Sequence, residues 1–114
     1  QLGGNEFVGT LPRGLFRNEG LQILLLENNR LNGTIPADVI GNLTDMWLLN
    51  MGNNNLSGRI PNGMGDLTNL RYLDLGGNGL SGRIPGSLRN LNKLDWFSVS
   101  RNDLTGELDF LCDI

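Results

Sequence analysis

Five asparagines, Asn5, Asn29, Asn54, Asn78 and Asn102, recur at an almost constant step, each inside the same short frame. The step lengthens by one only between Asn29 and Asn54. A unit of about 24 residues is too small to bury its own apolar face, so successive copies must stack on one another as a solenoid. The clearest copy carries Leu70, Leu73 and Leu75, then Asn78, Leu80, Gly82 and Ile84-Pro85. Most folds open to 114 residues are excluded by this one regularity. The question of function moves with it, from pockets to surfaces.

Counting each repeat from its first apolar residue, copies begin at Leu21, Met46, Leu70 and Leu94, with a partial copy ahead of Gln1. Positions 4 and 6 alternate as a strand with one buried face does: Leu24 and Leu26, Leu49 and Met51, Leu73 and Leu75, Phe97 and Val99. Stacked copies place these strands in a parallel sheet. At position 9 the chain leaves the strand, and the asparagine amide supplies donors and an acceptor for backbone groups the sheet no longer satisfies. Repeated at every level, the five asparagines form a ladder inside the column. Position 13 is always glycine (Gly9, Gly33, Gly58, Gly82, Gly106), as a left-handed or crowded backbone requires. Pro12, Pro36, Pro61 and Pro85 then open a return arm that buries Leu15, Val39, Met64 and Leu88, with no helical run of useful length. The expected fold is an α/β-type solenoid with a parallel β-sheet on its concave face and short 3₁₀ turns on its convex face.

The frame LxxLxLxxNxLxGxIPxxL resembles the plant-type leucine-rich repeat, and the resemblance covers essentially the whole chain, residues 1–114. It implies a protein of the kind found in receptor-kinase and receptor-like ectodomains and in secreted inhibitors. It also implies an extra short strand at the Gly-x-Ile-Pro segment, and a location that is extracellular or at the cell surface. Three departures stand out: one residue more around Val39-Ile40-Gly41, Asn18 in place of a leucine, and Asp109 where proline belongs. Neither end reads as a polar capping repeat, so the expectation is a segment of a longer solenoid.

Net charge is −3, with 9 basic and 12 acidic residues and no basic run, which argues against a nucleic-acid partner and against membrane contact. The chain has no histidine and one cysteine, and no metal or cofactor spacing. Gly77 to Gly82 fits G-x-G-x-x-G, but Ile84-Pro85 follows where a phosphate-binding helix would have to open. An Asp74/Asp95 carboxylate pair lacks the cleft that acid–base chemistry needs. The chain reads as no enzyme.

Residues between the buried strand positions share the concave face and line up in columns. Position 3 gives Ile23, Leu48, Tyr72 and Trp96; position 5 gives Leu25, Asn50, Asp74 and Ser98; Arg101 lies at position 8 and Trp47 at the edge, at position 2. An exposed apolar-to-aromatic column flanked by arginine is what a binding surface shows, although large side chains also cover a sheet and one another. Arg71 and Asp95 share position 2 in adjacent repeats and face each other as a surface pair. Candidate ligand-binding residues are therefore Tyr72, Trp96, Trp47, Asp74, Arg71, Arg101, Leu48 and Ile23.

Asn42-Leu43-Thr44, Asn32-Gly33-Thr34 and Asn55-Leu56-Ser57 are glycosylation sequons, acceptors only where the chain crosses a secretory compartment. Cys112 falls one repeat after Leu88 and reads as a small core residue; the resemblance offers instead half of a terminal disulfide. Two functions follow. The first is a recognition module that binds a protein, peptide or glycan, with a co-receptor among the implied partners. The second is a structural scaffold whose ends stack on other copies or on matrix proteins. Ice binding, a variant of the second, needs flat columns at positions 12 and 14, and Arg59 and Arg83 interrupt them.

Overall fold

A computed structural model describes residues 8–105. Asn5, Phe7, Gly106, Asp109 and Cys112 lie outside the described residues. Each turn of the coil contributes three short elements. On the concave side lie β2 (Ile23–Leu25), β4 (Leu48–Asn50), β6 (Tyr72–Asp74) and β8 (Trp96–Ser98), in a parallel sheet of that order. A second parallel sheet contains β1 (Val8–Thr10), β3 (Arg30–Thr34), β5 (Asn55–Gly58), β7 (Gly79–Arg83) and β9 (Asp103–Thr105). On the convex side run the 3₁₀ turns η1 (Arg13–Arg17), η2 (Ile40–Asn42), η3 (Asn62–Asp66) and η4 (Gly86–Asn90).

The expected extra strand exists and reaches into the Gly-x-Ile-Pro segment, beginning a few residues before it. It follows the asparagine and ends at or just past the glycine, because the proline that comes next offers no N–H to a ladder. The glycines are required for two reasons. Gly33, Gly58 and Gly82 have φ of +80°, +77° and +78°. A Cβ on Gly58 would also lie 2.9 Å from Thr34 Cγ2.

The two sheets differ in register. In the concave sheet equivalent positions pair directly, as in Leu48 with Tyr72 and Tyr72 with Trp96. In the second sheet each strand slips by two residues, so Asn32 pairs with Asn55 and Ser81 with Asp103. Equivalent residues are therefore about 4.8 Å apart on the concave side but roughly 8 Å apart along the second sheet, from strand spacing and rise alone.

Between the sheets and the turns runs the apolar column, including Leu49, Met51, Leu56, Leu67, Leu73, Leu75 and Leu80, all fully buried. The return arm corrects two expectations. Phe16 and Ile40 are fully buried, whereas Leu15 and Val39 pack only partly. The extra residue of the second repeat is absorbed there: Ile40 N–H donates to Pro36 O at 3.0 Å, a wider turn than the three-residue step of Met64 N–H to Pro61 O.

The asparagines close the turns as a ladder. Asn54 Nδ2 donates to Leu26 O at 2.9 Å and Met51 O at 3.1 Å, and its Oδ1 accepts Leu31 N–H at 3.1 Å. Asn78 and Asn102 repeat this one and two levels on, accepting from Leu56 N–H and Leu80 N–H. Asn29 donates to Leu26 O at 3.0 Å. From Asn54 onward, each rung therefore ties one repeat to its predecessor.

Candidate functional site

The concave sheet sets Ile23, Leu48, Tyr72 and Trp96 side by side in register. Their exposure varies along the column: Leu48 and Tyr72 are half-buried, while Ile23 and Trp96 are each 44% exposed. The Tyr72 and Trp96 rings stack, centroids 4.5 Å apart and planes 8° from parallel. Strand spacing is close to the separation of two stacked rings, so in-register aromatics fall into this contact without strain. Trp47 stands one residue toward the strand start, where its carbonyl accepts both Arg71 N–H at 2.8 Å and Tyr72 N–H at 3.1 Å.

Arg71 reaches across to the next repeat. Its Nε donates to Asp95 Oδ2 at 2.9 Å and its terminal nitrogen approaches the same oxygen at 2.8 Å. Both side chains remain largely exposed, so the pair stays in solvent. Trp47, Leu48, Arg71, Tyr72, Asp95 and Trp96 enclose an open depression of about 530 Å³. A second, of about 870 Å³, continues over the strand-start rim past Asp45, Asn69 and Lys93, sharing Trp47, Arg71 and Asp95 with the first.

Two candidates have work of their own. Asp74 Oδ1 accepts Gly76 N–H at 2.8 Å, as Asn50 Oδ1 accepts Gly52 N–H at 3.0 Å one repeat earlier. Position 5 thus closes the turn that leaves the strand, and Asp74 is only partly open to a ligand. Arg101 lies with a left-handed φ of 56° and donates to Asn53 Oδ1 at 3.0 Å, across the gap that Gly77 leaves in the intervening repeat. Asn53 in turn donates to Asn28 Oδ1 at 2.9 Å, so these side chains form a polar ridge opposite the aromatic column. Sequence reasoning missed this ridge. Its signal was Asn28, Asn53 and Gly77 at position 8, the residue types that tolerate φ above zero.

Burial raises the Tyr72 phenol above its ordinary pKa, and the Asp74 and Glu27 carboxylates add to the effect. Among the described residues, no three His, Cys, Asp or Glu side chains come together as a metal site, and no helix is long and apolar enough to cross a membrane. Asn32, Asn42 and Asn55 are all exposed, the first and last on the second sheet and Asn42 at the end of η2.

A parallel-stranded coil with asparagine rungs and 3₁₀ turns defines a repeat solenoid. Residues 19–80 match the leucine rich repeat family, and the chain belongs to that family. It is 35% identical over 60 residues to Receptor-like protein 31 of Arabidopsis thaliana, covering 53% of this chain and 7% of that relative's length. Among solved structures it resembles the Arabidopsis receptor kinase HAESA, in complex with the peptide hormone IDA and the co-receptor SERK1. That likeness has a TM-score of 0.90 and 30% identity, over 100% of this chain and 20% of that one. A plant ice-binding protein is as similar in shape, with a TM-score of 0.90 and 34% identity over 98% of this chain and 37% of that one. Backbone similarity is thus shared by different activities, and side-chain columns must separate them.

Proposed function

We propose that the chain is a non-catalytic recognition module of an extracellular or cell-surface protein, and that its concave face takes an extended peptide segment of a partner. The observation that carries this is the stack of half-buried Tyr72 on exposed Trp96, beside the Arg71–Asp95 pair and Trp47, lining an open depression. Aromatic and arginine side chains dominate interface energetics, and a rigid, stacked pair has little side-chain freedom left to lose on binding. Between the aromatic column and the ridge of Asn28, Asn53 and Arg101 lie the half-buried polar side chains of Asn50 and Asp74, which cover Gly52 and Gly76. Likeness to a receptor solved with a peptide hormone and a co-receptor supports the same reading.

The ice-binding variant is disfavoured by Arg59, whose side chain lies across Gly82 on the second sheet and roughens the surface that ice would need flat. The experiment is selection of peptides from a displayed random library against the parent chain. Selected peptides should quench tryptophan fluorescence and bind Trp96→Ala and Tyr72→Ala at least tenfold more weakly, about 1.4 kcal/mol. Equal binding by the parent and both variants would place the ligand elsewhere.

A further inference from the structure

The second sheet holds a relationship that repeat counting hides. Asn32-Gly33-Thr34 and Asn55-Leu56-Ser57, two complete sequons from successive repeats, pair residue for residue on adjacent strands: Asn32 with Asn55, Gly33 with Leu56, Thr34 with Ser57. Paired residues of neighbouring parallel strands lie about 4.8 Å apart and point to the same face. Asn32 and Asn55 are both exposed, and neither amide is taken up in a hydrogen bond with another described residue. We propose that Asn32 and Asn55 form one N-glycosylation site split between two strands, which carries a single oligosaccharide in the folded protein. The inference rests on the extracellular reading, since the chemistry takes place in a secretory compartment.

In the transfer, the asparagine amide nitrogen attacks the anomeric carbon of a lipid-diphosphate-linked oligosaccharide. A C–N bond forms, the C–O bond to the diphosphate breaks, the amide loses a proton, and the lipid diphosphate leaves. Two branched oligosaccharides rooted about one strand spacing apart on one face then compete for the same volume. The pair is not symmetrical in time. Asn32 emerges from the ribosome first and is available first. Once β5 docks on β3, Leu56 is fully buried between Asn55 and Ser57, and the second sequon can no longer lift away to enter an enzyme. Asn32 is therefore the principal acceptor and Asn55 the reserve. A glycan here covers the flank and leaves the concave face open.

The test is secretion of the whole chain from plant cells behind a cleavable leader, followed by glycopeptide and intact-mass spectrometry of the folded product. The pair should carry one glycan, mostly on Asn32. Asn32→Gln should move it to Asn55 without changing the glycan count, and the double variant should lose one glycan. Secreted molecules with both asparagines occupied as often as independent sites predict would overturn the proposal. So would an empty pair, whether or not Asn42 carries a glycan. Because the leader delivers the chain, this result does not depend on the native address. Protease protection of the untagged native protein tests that reading separately.

Discussion

The phenol ring of Tyr72 lies flat on the indole of Trp96, and the negative charges of Asp74 and Glu27 act on the same phenol. One side chain thus reports on both the stack and the charges beside it. Tyr72 is the only tyrosine in the chain, so phenolate absorbance reads it alone. Burial, then Asp74, then Glu27 raise its pKa in the folded state. Stability drawn from the neutral phenol is fully present below the unfolded value of about 10. It is lost as pH rises through the higher folded value. The titration should lie above the ordinary tyrosine value and fall part-way back in Asp74→Asn, since burial is the larger cause. A titration at the ordinary value in the folded protein would contradict this.

Asn54 is a buried and complete rung of the ladder, 7% exposed and bonded to groups of two repeats. Asn54→Ala strands the Leu31 N–H, while the Leu26 and Met51 carbonyls keep the Asn29 and Asn78 amides, and should cost about 1–3 kcal/mol in urea denaturation. Asn54→Asp keeps the acceptor but sets a charge among carbonyls, so it should not recover the loss. Neighbouring Asn55, whose exposed amide bonds to no other described residue, should change stability by less than about 0.5 kcal/mol when replaced by alanine.

Gly58 and Gly86 separate a required glycine from a tolerated one. At Gly58 the left-handed φ and the nearby Thr34 methyl both oppose a side chain, so Gly58→Ala should cost at least about 1–2 kcal/mol. Gly86 opens η4 with nothing within 4 Å of a would-be Cβ. Gly86→Ala should be neutral or stabilise by up to about 1 kcal/mol, through the unfolded chain. Thermal unfolding of the two variants side by side decides it.

The Arg71–Asp95 pair is well aligned but wet. Asp95→Ala should change stability by less than about 1 kcal/mol. Whatever difference exists should shrink in concentrated salt, where at about 1 M screening acts within about 3 Å. A large, salt-independent loss would mean the pair is structural.

Much of this was legible because a strict repeat turns sequence distance into spatial register. Leu49 and Leu73 stack because they occupy one position of the frame, and the same count brought Tyr72 to Trp96 and Arg71 to Asp95. Glycine at position 13 announced its positive φ for a local reason that no neighbour can change. The count failed where the backbone steps out of the frame. Phe16 and Ile40 join Leu15 and Val39 against the core, at a position that the later repeats fill with Gly65 and Arg89. Asp74, a candidate ligand contact by its column, also closes its own turn through one carboxylate oxygen.

Periodicity alone settled the coil, the strands of its concave face, the asparagine ladder and which side chains share a column. Each follows from one local spacing repeated in every turn of the coil. The two-residue slip of the second sheet belongs to the tertiary structure, for it arises between strands and leaves no mark within any one of them. That slip sets Asn32, at position 12, beside Asn55, at position 10, because hydrogen bonding between neighbouring strands, and not the spacing within either, fixes which residues pair.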